Sequence, residues 1–390
     1  MELVLKIPFN SPFVVGKELF YIAKAVLENR QISGAGPFTR KCQEWLESHL
    51  GSPRALLTHS CTAALEMAAI LLDVGPGDEV IMPSFTFVST ANAFVLRRAT
   101  PVFIDIERRT MNLDAALLEQ ALTPRTKAIV PVHYAGMPCE MDRIMDFAEK
   151  HGLFVVEDAA QALLSTHQGR HLGAIGHLGC ISFHETKNII SGEGGALLVN
   201  DPRFDSRAEI IWEKGTNRRQ HFRGEVDKYT WLDIGSSFLP SEIIAAFLFA
   251  QFENAQAIIA KRCATFHRYM EALTPLAEMG CLGLPPAELS NSCNAHIFYV
   301  TTTSLDERSR LIKHLASLGI SSVFHYVPLH SSPAGQRFGR VATAMTVTEE
   351  MSDRILRLPL FYEMNHSEVD AVVDGVYSFF GLQSGMKGRL

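Results

Sequence analysis

The stretch SFHETKNIISGEGG, residues 182–195, sets Lys187 between a strand-like run and a glycine-rich turn. A lysine in that position can be held inside a cleft, where burial and a nearby cation depress the pKa of its amine. Such an amine forms and exchanges Schiff bases near neutral pH. The competing reading is a surface lysine on a loop, because glycine-rich turns are common. What surrounds the stretch separates the two readings.

Working outward, the runs RALLT, EVIMP, TPVFID, KAIVPVHY, LFVVEDA, GCISFH and GALLVN recur between residues 54 and 200, with helical stretches between them. Strands alternating with helices predict an α/β fold whose mostly parallel sheet is covered on both faces. The covering helices are expected over 62–72, 90–97, 114–121 and 140–151. After Ser241 the run SEIIAAFLFAQFENAQAIIAKRCATFHRYMEAL has no breaker and predicts one or two helices leading into a second domain. We place the boundary near residue 250, giving a large domain over 1–250 and a smaller α+β domain over 251–390. The latter holds AHIFYVTTT, the helical DERSRLIKHLASLG, the strand-like ISSVFHY and a final helix over 367–380.

Composition narrows the function classes. The chain has 390 residues, 47% hydrophobic and 20% charged, with a formal net charge of -6. That balance suits a globular protein and offers no general attraction for nucleic acid or anionic lipid. The seven cysteines are scattered without a Cys-x-x-Cys spacing, so neither a disulfide framework nor a metal site is expected. No signal-like N-terminus and no apolar run of about eighteen residues is seen, so a cytoplasmic protein with no membrane partner is expected.

Three further elements carry chemistry. LFVVEDAAQA puts Asp158 directly after an apolar strand, where ligands gather in open α/β sheets, with Gln161 three residues on. A carboxylate paired with a pyridine nitrogen keeps it protonated and the ring electron-accepting, and Gln161 is placed to reach a ring hydroxyl. A helix N-cap is the alternative role for Asp158. THSCTAALEMAA opens a helix at Ser60, Cys61 and Thr62, whose amides and hydroxyls make a phosphate cup or, more plainly, an N-cap. MPSFTFVSTANA supplies Phe85 and Phe87 past a strand end, either of them a ring stacker or a core residue. In chain order the elements are a phosphate cup, a stacking ring, a pyridine partner and a Schiff-base lysine. Together they point to pyridoxal 5'-phosphate.

These residues resemble the DegT/DnrJ/EryC1/StrS family of sugar aminotransferases over nearly the whole chain. The family pattern is matched at Asp158, Gln161, Ser182, Phe183, Thr186, Lys187, Asn188 and Gly192 to Gly195. The resemblance implies the aspartate aminotransferase (type I) fold, the cofactor on Lys187, Asp158 at the pyridine nitrogen, Phe87 on the ring and Ser182 at the phosphate. It also implies a homodimer with active sites at the interface. Family relatives that act as dehydratases carry histidine in place of the lysine, so Lys187 implies transamination.

Two departures stand out. Ser60, Cys61 and Thr62 replace the family's Ser-Gly-Thr, and GSSF at Gly235 to Phe238 replaces Gly-x-Asn-Tyr-Arg, leaving Ser237 where an asparagine serves the partner's phosphate. SCTAALEMAA, VPVHYAG, EKGTNR, DKYTW and FHYVPLH are most similar to the dTDP-4-amino-4,6-dideoxygalactose transaminases of enterobacterial common antigen synthesis, a lipopolysaccharide-type pathway. That resemblance implies amino transfer from glutamate to carbon 4 of dTDP-4-keto-6-deoxy-D-glucose. His325 and Arg219, the latter in the basic run TNRRQHFRGE, are the candidates for contacting the nucleotide sugar. The rival readings are amination at carbon 3 or to the gluco epimer, a pyridoxal-phosphate-binding regulator without turnover, and a nicotinamide enzyme. The last lacks its Gly-x-Gly-x-x-Gly turn.

Overall fold

The computed structural model describes residues 6–287 and 292–384. Each of the seven apolar runs between 54 and 200 contains a strand: β1 (Arg54–Thr58), β2 (Glu79–Pro83), β3 (Thr100–Ile104), β4 (Thr126–Ile129), β5 (Phe154–Asp158), β6 (Leu178–Ser182) and β7 (Gly195–Val199). Further along come β8 (Phe298–Thr301), β9 (Arg340–Val341) and β10 (Ile355–Leu358). The main sheet has eight strands in the order β1-β7-β6-β5-β4-β2-β3-β9. Pairing is parallel from β9 through to β6 and antiparallel on both sides of β7.

The strands are continuous apolar runs because helices cover both faces: β2, β6 and β7 are buried along their whole length. On one face the alanine-rich helix Cys61–Leu71 packs with Phe94, Ile211 and Trp212. On the other, Met141–His151 turns Met141, Ile144 and Ala148 inward and leaves its charged side out. Only the second half of the helix expected over 114–121 is α-helical. Asp114 accepts from the Ala116 amide, and this cap starts a 3-10 turn, Ala115–Leu117, before Leu118–Ala121.

The breaker-free run after Ser241 forms two helices, Glu242–Glu253 and Ala255–Glu278, bent by 63° at Asn254. Among the described residues no single helix is long and apolar enough to cross a membrane. The first of the pair also caps a distant one. Buried Glu242 accepts from the amides of Gly36 (3.0 Å), Phe38 (2.8 Å) and Thr39 (2.9 Å), the orphan donors at the start of Pro37–Leu50.

A second core lies around β8 and β10, which pair antiparallel, and joins Phe298 of β8 to Phe266, Tyr269, Leu311 and Val372 from the helices beside them. Two segments cross the boundary expected near residue 250. Ile7 bridges to Ile320 and enters this second core, and β9 extends the main sheet beside β3. ISSVFHY differs from its strand-like reading, pairing only through single bridges at Ile320 and Val323. Past Val323 the chain leaves the edge of β10, and His325 and Tyr326 line a cleft instead.

The end of β5 is fastened by a buried carboxylate. Glu157 accepts from the amides of Gly173 (2.8 Å), Ile175 (2.7 Å) and Gly176 (2.5 Å) and pairs with His133 Nε2 at 2.9 Å. Burial by itself raises the Glu157 pKa, but the His133 interaction and the Gly176 and Gly173 amides outweigh it, so the carboxyl lies below its ordinary value. A depressed folded pKa contributes stability that is present above the unfolded value of about 4.3 and is lost as pH falls through the folded one. We predict that Glu157→Gln lowers stability at neutral pH by about 2–4 kcal/mol, since buried donors lose a charged acceptor. Urea unfolding followed across pH should also show a shallower acid limb below about pH 4 than in the parent. An unchanged acid limb would remove Glu157 from the account.

Candidate active site

The carboxyl ends of β5 and β6, the N-termini of two helices and a segment from the second core enclose a cleft of about 640 Å3. Lys187, Asp158, Gln161, Ser182, Ser60, Cys61, Thr62, Phe87 and His325 all line it. Nine sequence candidates thus meet in one place.

Lys187 follows β6 in a loop closed by backbone bonds from Lys187 N to His184 O (2.8 Å), Glu185 N to Gly192 O (2.8 Å) and Ser191 N to Phe183 O (2.7 Å). Gly192 turns this loop with φ +80°, a conformation side chains rarely adopt. Asn188 is buried behind it, donating to Asn294 O at 2.7 Å and meeting His296 Nδ1 at 3.1 Å. Desolvation inside the cleft lowers the Lys187 pKa; Cys61 and Asp158 oppose the shift, and Arg357 adds to it.

Asp158 ends β5 and is 5% exposed. Thr90 Oγ1 donates to its Oδ2 at 2.7 Å, Thr86 Oγ1 lies 2.8 Å from Thr90 Oγ1, and the Ala160 amide donates to Oδ1 at 3.2 Å. The aspartate is therefore held by the turn of helix that follows Phe87 as well as by its own chain. Phe85 is fully buried, edge-on to Tyr134 (5.1 Å) and Tyr326 (5.5 Å), whereas Phe87 is 59% exposed and faces the cleft. The loop between β2 and the helix Val88–Val95 does not alternate like a strand, which is why the choice between these rings was open in the sequence.

The candidate phosphate cup depends on a glycine. Ser60 caps Cys61–Leu71 by accepting from the Ala63 amide at 3.0 Å, and Thr62 Oγ1 lies 2.7 Å from Ser89 Oγ. A Cβ on Gly195 would collide with the Ser60 carbonyl carbon and the Cys61 amide, so the Gly-Glu-Gly-Gly turn is what lets β7 pass directly beneath the cup. The Cys61 thiol is buried and pushed well above its ordinary pKa, chiefly by desolvation. It therefore leaves the helix N-terminus free of a competing thiolate.

Gln161 is committed locally: its Oε1 accepts from the Ala135 amide at 2.7 Å, and its amide donates to Tyr326 OH at 3.0 Å. His325 stacks on Tyr326 at 4.0 Å and meets Tyr134 OH at 3.3 Å, and burial followed by Arg357 and Lys187 lowers its pKa to about 2. It is neutral under ordinary conditions. Arg219 and Ser237 lie elsewhere, lining a separate cavity of about 780 Å3 with Arg218 and Leu239. Arg219 is half-buried over Trp212 at 5.5 Å.

The cleft also holds residues the sequence did not single out. Phe9 and Asn10 reach it from the N-terminal segment, Arg262 from the long helix Ala255–Glu278 and Arg357 from β10. Thr90 had a faint signal, one turn into the helix opened by Phe87. The others arrive through long-range packing that no local pattern reports.

With this geometry in hand, the comparisons are direct. The DegT/DnrJ/EryC1/StrS aminotransferase family matches residues 15–377, and the chain belongs to that family. It is 32% identical to the spore coat polysaccharide biosynthesis protein SpsC of Bacillus subtilis, over 95% of this chain and 96% of that protein. It is also 32% identical to GDP-perosamine synthase of Caulobacter vibrioides, over 94% of this chain and 96% of that protein. Among solved structures, the pyridoxal-phosphate form of the putative sugar aminotransferase Spr1654 of Streptococcus pneumoniae superposes with a TM-score of 0.86, 27% identity and coverage of 96% and 98% of the two chains. The chain is a pyridoxal-phosphate-dependent sugar aminotransferase of the type I fold.

Its residues fit that cofactor: an amine whose pKa burial lowers, a buried carboxylate and a glycine-floored helix N-terminus border one cleft. The lowered pKa leaves a larger share of Lys187 deprotonated at neutral pH than of an ordinary lysine. We predict that borohydride reduction of the loaded protein near pH 7 fixes the cofactor on the Lys187 peptide, as read by mass spectrometry, and that Lys187→Ala abolishes this label. A label spread evenly over surface lysines would count against the assignment.

Proposed function

We propose that this sugar aminotransferase moves the amino group of glutamate to carbon 4 of dTDP-4-keto-6-deoxy-D-glucose, giving dTDP-4-amino-4,6-dideoxy-D-galactose. The observation that carries the reaction type is the desolvated Lys187 amine in the same cleft as Asp158. The finer substrate rests on the resemblance of SCTAALEMAA, VPVHYAG and FHYVPLH to transaminases of that specificity. Kinship with GDP-perosamine synthase supports a nucleotide-linked sugar.

When bound, the cofactor supplies an electron sink for the bond that the α-proton leaves. The Ser60 and Thr62 hydroxyls, the Cys61 and Thr62 amides and Ser182 would hold its phosphate. Phe87 would cover one ring face and Gln161 would orient the ring hydroxyl. The Asp158 carboxylate, fixed by Thr90 at 2.7 Å, would hold a proton on the pyridine nitrogen. Lys187 Nζ acts as the positioned base, lifting the proton from the donor's α-carbon and holding it for return in the second half of the cycle. His325, neutral and fixed by Tyr134, would offer a hydrogen bond to a sugar hydroxyl without adding charge. Asn188, His296 and Asn294 position the lysine loop from behind.

The same reading includes a homodimer in which Ser237 and Arg219 serve the partner's site, in line with the separation of their cavity from the Lys187 cleft in one chain. It also divides the chain near residue 250, supported by the 63° bend between Glu242–Glu253 and Ala255–Glu278.

Two outcomes are expected. Initial rates against glutamate at several keto-sugar concentrations give parallel lines in double-reciprocal form, and intersecting lines would refute alternation of the two substrates. NMR of the product places the new amine at carbon 4 in the galacto configuration. An amine at carbon 3, or the gluco epimer, would keep the aminotransferase and discard the substrate assignment.

A further inference from the structure

His296 leads into β8 and is held at three points. Its amide donates to Asn294 Oδ1 at 3.1 Å, its carbonyl accepts from Arg262 at 2.7 Å, and its Nδ1 lies 3.1 Å from Asn188 Oδ1. Asn294 in turn donates to the carbonyls of Gln161 (3.0 Å) and Leu163 (2.9 Å). The ring is thus braced against both the chain after β5 and the lysine loop.

These bonds decide which ring nitrogen carries the proton. Asn188 Nδ2 donates to the Asn294 carbonyl at 2.7 Å, and a carbonyl only accepts, so the orientation of the Asn188 amide is fixed. The Asn188 atom facing His296 is therefore an oxygen, and Nδ1 must be the donor. Burial first, then Lys187, Arg262, Arg357 and His325, pushes the pKa of the ring well below the ordinary histidine value, which leaves Nε2 bare. Nε2 makes no hydrogen bond among the described residues and is not shut away from solvent, so it opens on the cleft that His296 lines together with Lys187.

A bare acceptor in a desolvated cleft calls for a donor. Lys187 is the charge that acts on the ring most strongly. Arg262 spends its donors on the carbonyls of Ala295 and His296, and Arg357 stands over the Phe9 ring at 4.6 Å. The side chain that fixes the histidine tautomer is also the residue directly after Lys187, so the acceptor and the amine are registered through one short piece of chain.

We propose that His296 Nε2 accepts an N–H of Lys187 whenever that amine is free of the cofactor, a positioning role that rests on the assignment of Lys187 above. Each time Nζ takes up the substrate proton it becomes an ammonium in a site with little water, and an ammonium without an acceptor there is costly. The other groups acting on Lys187 are Asp158 and Cys61, which favour its charge, and Arg357, which opposes it. Asp158 is taken by Thr90 and Ala160, and the Cys61 thiol keeps its proton. His296 stays neutral throughout and moves no proton itself; it fixes where the lysine waits.

The two amide side chains separate the two ring nitrogens. His296→Asn places a donor where Nδ1 was and removes the Nε2 acceptor, whereas His296→Gln places an oxygen where Nε2 was and gives up the anchor on Asn188. Each variant is loaded with pyridoxamine 5'-phosphate, which leaves Lys187 free, and the Lys187 pKa is read by trace acetylation with acetic anhydride across pH and mass spectrometry of the Lys187 peptide. An acceptor favours the ammonium, so its loss lowers the pKa. His296→Asn is expected to titrate about one pH unit below the parent, the size of a lost charge-assisted hydrogen bond. His296→Gln is expected to stay with the parent, and it decides the matter where the asparagine variant does not fold. An unchanged Lys187 titration in His296→Asn overturns the proposal, as does a fall in His296→Gln as large as in His296→Asn. Borohydride fixing the parent's cofactor on another lysine fails one step earlier, because Lys187 itself then leaves the site.

Discussion

Two consecutive carboxylates at the end of β5 organise everything around them. Alternation along a strand sends Glu157 and Asp158 to opposite faces of the sheet. Glu157, with no exposed surface, gathers three amides of the 173–176 loop and the ring of His133, so the chain on either side of β5 is tied to one point. Asp158 meets Thr90 on the other face and enters the cleft. A buried carboxylate holds its charge only when fully hydrogen-bonded, so the Glu157 cluster tolerates little movement. Its neighbour inherits that rigidity. Asp158 therefore arrives in the cleft already placed, and the strand itself need not change when ligands come and go.

The cleft is assembled from opposite ends of the chain around this fixed strand. β6 delivers Ser182 and the lysine loop, β7 passes under the start of helix Cys61–Leu71 because Gly195 lacks a side chain, and the helix after Phe87 delivers Thr90. The second core contributes His325, Tyr326 and Arg357, and the N-terminal segment contributes Phe9 across the same opening. The segment carrying His325 has given up regular pairing with β10 beyond Val323. Its ring is held by stacking and one hydrogen bond instead, the looser kind of support expected where a substrate must be admitted.

How much of this could be read beforehand follows from the range of each constraint. Strand positions were legible because continuous burial leaves an unbroken apolar run, as at EVIMP and GALLVN. Lys187, Asp158 and the cup were legible because each sits at a strand end or helix start whose chemistry is local. The choice between Phe85 and Phe87 was not, since it depends on a loop where alternation has stopped. Ser237 and Arg219 line a second cavity of this chain, a separation from the Lys187 cleft that no local pattern reports. Arg357 was invisible for a related reason. On a short apolar strand an arginine reads as an edge residue facing water, and only the fold shows Phe9 covering it.

The charge of the site runs against that of the molecule. The chain carries a formal net charge of -6, yet the cleft is lined by Lys187, Arg262 and Arg357 against the carboxylates of Asp158 and Glu193. Two arginines balance the two carboxylates even where the Lys187 amine is uncharged, so the cleft does not share the acidity of the exterior, which discourages nonspecific polyanion binding. Burial is the main cause that keeps His325 neutral and lowers the Lys187 pKa, and the Arg357 guanidinium adds to both shifts. Arg357 thus reaches both groups at once, so a change at that side chain moves the His325 and Lys187 equilibria together, beneath the larger effect of burial.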